Sequence, residues 1–204
     1  MKSATARTEA WERIDWSQPS VEMRRIQYEG RWDEWLPPEV STVVDVGCGD
    51  GNMCPVFTDE PALDYTGVDL SSNRIARARE RWGERAEFLE GDVYDLPFAD
   101  DDFDLAFCQE VLHHLPAEGD TPVALSAVKE LRRVARFAMV NQRCAIGERT
   151  ERPGGVVVRR YERVTEVDAE MRGLGATQRW VVSAHRNWTL RCEVVDALWL
   201  FGPD

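Results

Sequence analysis

Val43-Val44-Asp45-Val46 is a short β-rich run, apolar on both faces, that breaks into Gly47-Cys48-Gly49-Asp50-Gly51. A strand with two apolar faces belongs in a parallel sheet covered by helices. The glycines that follow mark a turn with unusual dihedrals, open to close approach by a ligand because no Cβ stands in the way. This strand and turn confine the chain to the α/β class, and the pattern downstream repeats the theme. Tyr65-Thr66-Gly67-Val68-Asp69-Leu70 reads as a second strand, and further strands fall at 86–89, 103–108 and 137–141. Between the second and third, Ser71 and Ser72 offer N-caps, Ile75, Ala78 and Trp82 fall at helical spacing, and Gly83 supplies a stop. A second helical stretch covers 121–134. Such alternation implies a doubly wound sheet with right-handed crossovers. Runs at 178–184 and 194–201 have no helix-length segment between them and should pair antiparallel at one edge. The expected fold is therefore a Rossmann-like, seven-stranded α/β sheet, mostly parallel with an antiparallel edge strand, and with helices on both faces.

At 204 residues the chain is expected to build one main core. No apolar run approaches the roughly 20 residues that span a bilayer, and the opening MKSATARTEA has no hydrophobic signal region. The expectation is a soluble cytoplasmic protein with no membrane partner. Cys48, Cys54, Cys108, Cys144 and Cys192 are scattered and never spaced as Cys-x-x-Cys, which indicates reduced thiols and no zinc knuckle. A net charge of -12 argues against a nucleic-acid partner held by its phosphates. The balance is uneven, at -14 over 41–128 and +7 over 129–191. Charges coating solvated helix faces are one reading, and a basic wall for an anionic substrate is the other. Oligomeric state is left open.

Upstream of the first strand, Tyr28, Trp32, Trp35 and Leu36 are spaced along one helix face that ends at Pro37-Pro38, with Trp11 and Trp16 before them. Residues 1–38 are read as a helical cap or lid segment and 39–204 as the main domain. The stripe packs as core or lies over the carboxyl ends of the strands, where open α/β sheets bind ligands. In the latter case Tyr28 and Trp32 contact a substrate.

Asp69 ends the second strand 20 residues after Gly49, the place from which a carboxylate accepts both hydroxyl hydrogens of a ribose. A dinucleotide fingerprint would place its third glycine at 52, where this chain has Asn52. The signal is that of a nucleoside site without a pyrophosphate site.

Four motifs in order, VVDVGCGDG (43–51), GVDLS (67–71), EGDVYDLPF (90–98) and FDLAFCQEVLHHL (103–115), resemble those of class I S-adenosylmethionine-dependent methyltransferases of the small-molecule, type 11-like kind. The resemblance covers 40–142 and implies a cofactor-binding domain. Asp45, Gly47, Gly49 and Gly51 would surround the methionine part of S-adenosylmethionine. It likewise implies that Asp69 holds the ribose diol and that Leu70 lines the adenine pocket. Asp92 would accept from the adenine amino group, and the backbone of Val93 would pair with a ring nitrogen. Gln109 and Glu110 would face cofactor or acceptor. The implied reaction is direct displacement at the sulfonium methyl, with S-adenosylhomocysteine leaving and no metal required. Where the acceptor carries a proton, Glu110, His113 and His114 are the candidate bases by position, although a structural role for one histidine stands beside this. Two departures accompany the resemblance. Relatives often have Arg-Pro-Gly-Gly before the fifth strand, whereas here Arg136 leads straight into Phe137 and Arg152-Pro153-Gly154-Gly155 comes later. The last 60 or so residues match in pattern alone.

An Asn/Asp-Pro-Pro-aromatic signature is absent after the fourth strand, as is a Pro-Cys nucleophile. A small-molecule methyltransferase is the first reading, followed by an RNA methyltransferase using the basic 129–191 region and a catalytically silent cofactor-binding protein. For the acceptor, Asn141 and Arg143 stand at the end of the fifth strand, and Arg143 heads a run with Arg149, Arg152, Arg159, Arg160 and Arg163. A guanidinium there would orient a carboxylate, phosphate or phosphonate, unless the run is a solvated loop.

Overall fold

A computed structural model describes residues 21, 28, 30–59, 61–116, 123–146, 150–154, 157–161, 163–187 and 192–203, with the backbone alone described for 150–154, 157–161, 183–187 and 192–194. Trp11, Trp16, Arg149 and the start of the expected 121–134 helix lie outside the described residues.

The seven expected strands are all present: β1 (Thr42–Val46), β2 (Asp64–Asp69), β3 (Glu87–Glu90), β4 (Phe103–Gln109), β5 (Ala135–Ile146), β8 (Ala176–Asn187) and β9 (Cys192–Phe201). They form one sheet in the order β3-β2-β1-β4-β5-β9-β8. The pairs β3/β2, β2/β1, β1/β4 and β4/β5 are parallel, and β9 is antiparallel to both its neighbours. The reversed strand is thus one place in from the edge, and edge strand β8 runs with the rest. β5 begins directly after Val134 and pairs Leu105 with Phe137 and Gln109 with Asn141, which fixes its register. Arg152-Pro153-Gly154 falls instead in a small hairpin of β6 (Thr150–Gly154) and β7 (Val157–Tyr161), where the sequence suggested a loop.

Pleating sends alternate side chains to two cores. Val44, Val46, Ala106, Cys108, Val140 and Trp199 pack on α4 (Leu125–Val134) and α5 (Val164–Gly173) through Ala127, Val128, Leu131, Val167 and Met171. Val43, Tyr65, Leu105, Phe107, Met139 and Leu198 pack on the opposite side, against Phe57 of α2 (Cys54–Asp59) and Ile75 and Ala78 of α3 (Ser72–Trp82). Helices therefore cover both faces. Helix α3 starts with Arg74 N–H donating to Ser71 Oγ (3.3 Å). At its end Gly83 keeps a helical φ of -62°, and a Cβ there would lie 2.5 Å from the Arg79 carbonyl. The stop thus works through close approach rather than through a left-handed turn.

The aromatic stripe is not one continuous helix. Gly30, at φ +70°, separates Tyr28 from α1 (Trp32–Trp35). The rings still meet: Tyr28 stacks on Trp32 (5.2 Å, 7°), Trp32 lies on Phe57 (4.9 Å) and Tyr28 sits edge-on to Phe107 (5.8 Å). Tyr28, Trp32 and Trp35 are 0, 5 and 2% exposed. Trp32 is accordingly a core residue rather than a surface awaiting substrate, since apolar area sunk against the sheet stabilises the fold directly.

Candidate active site

The chain leaves β1 toward β2 on one side, and β4 lies on the other, so the β1/β4 junction is the topological switch point at which open α/β sheets form a ligand crevice. The glycine turn sits there. Gly47 and Cys48 N–H both donate to Val68 O (2.7 and 3.0 Å), folding the chain back over β2. Gly47, Gly49 and Gly51 have φ of +81°, +57° and +73°, a region other residues enter at a cost. A Cβ on Gly47 would come within 2.3 Å of Val111 Cγ2, so the turn is pressed against the chain leaving β4.

Asp69 at the end of β2 accepts Gly49 N–H on Oδ2 (2.8 Å) and Ser71 N–H on Oδ1 (2.9 Å). Each oxygen takes one backbone donor and keeps acceptor capacity for one more. Burial pushes this carboxyl above the usual range, opposed by the Ser71 N–H, the Arg74 charge and the Gly49 N–H. The adjacent Leu70 is half-buried. Asp45 goes elsewhere: the pleat turns it, 2% exposed, onto the aromatic face, where it accepts the Tyr65 hydroxyl (2.5 Å). Burial and the neighbouring Asp45 push the Tyr65 phenol well up. Cys48 in the turn is raised by burial and by Asp69 and Asp45, which makes it a poor nucleophile.

Beyond β3, Asp92 Oδ1 accepts Tyr94 N–H (3.2 Å), while the Val93 side chain is sunk in the core beside Leu96. At the end of β4, Gln109 Nε2 donates to Tyr28 Oη (2.5 Å), a link across 81 positions that ties the N-terminal aromatic segment to the strand ends. Glu110 holds φ +58° and donates its N–H to Asn141 O (2.9 Å). A non-glycine residue in this left-handed region at a strand end is a recurrent mark of a functional position. Asn141, 2% exposed, lies beside Gln109 in register, and its Nδ2 is enclosed without a hydrogen-bond partner.

Arg143 has surroundings different from those an open anchor requires. Its Nε and Nη2 grip Asp196 of β9 at 2.7 and 3.0 Å, and Nη1 stands 3.7 Å from Glu110 Oε2. With Asp196 only 2% exposed, this bidentate pair is part of the fold. Of the other arginines, Arg152, Arg159 and Arg160 lie on the hairpin with side chains outside those described, and Arg163 faces Glu166 at 3.7 Å. His113 and His114 occupy a short 3-10 turn, Leu112–His114, with ring centroids 3.9 Å apart. His113 is buried and His114 half-buried. Among the described residues no group of three His, Cys, Asp or Glu side chains converges as a metal site.

The strand ends thus gather Gly47, Gly49, Asp69, Gln109, Glu110 and Asn141, while Trp32, Asp45 and Arg143 are drawn into packing or pairing. Sequence reasoning missed Tyr65 and Asp196. An acid inside the apolar run Val194-Val195-Asp196-Ala197-Leu198 was the available signal for the second, because buried charges are kept only when paired.

Residues 44–137 match the model of a methyltransferase domain. Tocopherol O-methyltransferase of Arabidopsis thaliana is 31% identical over 115 residues, 54% of this chain and 31% of that enzyme. The chain spans about a third of the length of the curated relatives it matches. Among solved structures, the PH0226 protein of Pyrococcus horikoshii superposes with a TM-score of 0.66 at 20% identity, covering 96% of this chain and 99% of that one. An N-methyltransferase of Haemonchus contortus, in complex with phosphomonomethylethanolamine and S-adenosylhomocysteine, superposes at 0.67 with 11% identity, covering 100% of this chain and 61% of that one. The family match falls on the segment that builds the switch point, and the whole sheet shares the fold of these solved structures. Residues 44–137 are thus similar to a methyltransferase domain, on a sheet that has the fold of these solved structures.

Proposed function

We propose that the protein transfers the methyl group of S-adenosylmethionine to a small-molecule acceptor. The observation that carries this reading is the Asp69 carboxylate at the switch point, held by Gly49 and Ser71 N–H and keeping one acceptor position per oxygen for a ribose diol. The residues fit the cofactor elsewhere too: the positive-φ glycine turn sits at the switch point where the methionine part would lie, and Asp92 with the backbone of Val93 follows β3 where the base belongs. When bound, the sulfonium supplies an activated methyl, so the protein's own work is alignment and exclusion of water. Gln109, fixed by Tyr28, and the aromatic segment behind it close the β4 side.

For the acceptor, Asn141 offers an enclosed amide donor beside Gln109, and Glu110 is the carboxylate at the same strand end. If the accepting atom is a hydroxyl or ammonium, Glu110 takes its proton, with His113 and His114 as the alternatives on the next turn. An anionic acceptor would draw on the arginines of the hairpin rather than on Arg143, whose guanidinium is occupied by Asp196 and faces Glu110.

Calorimetry with S-adenosylmethionine, followed by transfer of a radiolabelled methyl to small molecules sorted by charge, with RNA as a further arm, tests the reading. Saturable cofactor binding and labelled small-molecule product are expected. Labelling of RNA alone would replace the acceptor class, and failure of the folded protein to bind the cofactor would end the proposal.

A further inference from the structure

The segment between β3 and β4 carries the residues assigned to the adenine edge, yet it has little regular structure of its own. Its local hydrogen bonds include Tyr94 N–H to Asp92 Oδ1, Asp95 N–H to Asp92 O (2.9 Å) and Phe98 N–H to Leu96 O (2.8 Å). The head of the segment is tied to the ribose acid, since Gly91 N–H donates to Asp69 O (3.0 Å). The foot is tied to α4. There Arg133 uses all five N–H groups of its guanidinium: Nε and Nη2 on Glu130 (2.9 and 2.7 Å), Nη1 on Phe98 O and Asp100 Oδ1 (both 2.9 Å), and Nη2 again on Leu96 O (3.2 Å). Glu130 Oε1 accepts Leu96 N–H (2.8 Å), and Asp101 N–H donates to Arg133 O (2.8 Å).

A fully used guanidinium is a rigid planar fork with no counterpart in lysine. Val93 and Leu96 anchor the segment in depth, but apolar contact is non-directional and leaves lateral placement undefined. Gly91 N–H on Asp69 O fixes the head of the segment, and the directional placement of its far side comes from the clip. Recognition at a base edge needs placement to within about 0.5 Å, so a shift of that size disorders the base contacts. The ribose contact has separate supports, Gly49 and Ser71, which do not involve α4.

We propose that Glu130 and Arg133 are positioning residues for the adenine edge, setting preference for a 6-amino over a 6-oxo purine by fixing where Asp92 and Val93 stand. The inference rests on the cofactor reading above. A carboxylate accepts from a 6-amino group and meets an acceptor, unfavourably, in a 6-oxo base.

The test is calorimetry of the full chain with S-adenosylhomocysteine and S-inosylhomocysteine, for wild type, Arg133→Lys, Glu130→Gln and Asp69→Ala, with a melting temperature for each. Wild type should prefer the adenine ligand. Arg133→Lys should lose roughly tenfold for it and little for the inosine ligand, as expected when one charge-assisted hydrogen bond is misplaced. Asp69→Ala should weaken both ligands alike. Should Arg133→Lys fail to fold, Glu130→Gln, which keeps an acceptor for Leu96 N–H, carries the test. An unchanged preference in a folded variant, even one that melts earlier, overturns the inference. Equal binding of both ligands by wild type removes the adenine contact and the inference with it, and no binding of either removes the proposed function as well.

Discussion

At the amino end of the sheet Asp104 Oδ2 accepts Ser41 N–H and Oγ–H and Thr42 N–H and Oγ1–H, at 2.9, 2.7, 3.1 and 3.3 Å, while Arg136 approaches Oδ1 at 3.3 Å. At the carboxyl end Asp69 accepts two backbone N–H groups. The same side chain on neighbouring parts of one sheet is thus saturated at one end and half-served at the other. The Ser41 donors lead in holding the Asp104 carboxyl below the usual range, whereas burial raises that of Asp69. A carboxylate whose lone pairs are filled by the fold stabilises the fold. One left with capacity in a crevice has given up stability that a ligand can supply. Arg143 sharpens the contrast, because it lies at the ligand end yet is paired bidentately with the buried Asp196, so its own contacts and not its location decide its part.

The largest expected effect comes from that pair. Arg143→Ala leaves the buried Asp196 without its guanidinium and should cost about 3 kcal/mol of stability, read by denaturant unfolding. A variant as stable as wild type would return Arg143 to the list of open anchors. Next, Asp69→Ala should weaken S-adenosylmethionine binding by roughly 2 to 3 kcal/mol with a smaller loss of stability, about 1 kcal/mol, from the Gly49 and Ser71 N–H groups left without its oxygens. Calorimetry and a thermal melt on the same sample separate the two, and loss of stability with intact binding would reverse the comparison. Asp104→Ala should do the opposite, costing about 1 to 2 kcal/mol of stability and leaving cofactor affinity alone. Altered affinity would show that the two ends are coupled through β1 and β4.

The smallest effect is a separation in pH. A depressed carboxyl such as Asp104 contributes stability that is present above its unfolded value and lost as pH falls through the folded one. Asp69 is raised, so it takes up its proton at a higher pH than an ordinary aspartate, and in the proposed role it would cease to accept both ribose hydrogens there. On acidification, cofactor binding should therefore fail before the fold does. Binding and unfolding titrations that coincide would contradict this.

The sequence by itself determined what depends on near neighbours. The two-faced apolar runs, the caps of α3, the glycine turn and the spacing from Gly49 to Asp69 all follow from local sterics and periodicity, and the structure has each of them in place. Gly30 shows the limit even of local reading, because one positive φ split a stripe whose spacing alone suggested a single helix. Tertiary structure decided the partners. Gln109 meets Tyr28 across 81 positions, Asp104 meets Ser41 across 63, Arg143 meets Asp196 across 53 and Arg133 meets Leu96 across 37. Each depends on strand order or helix packing that places distant residues side by side. Whether a charged side chain is left for a ligand or consumed by the fold follows from those partners, and the residues adjacent to it in the chain do not carry that information.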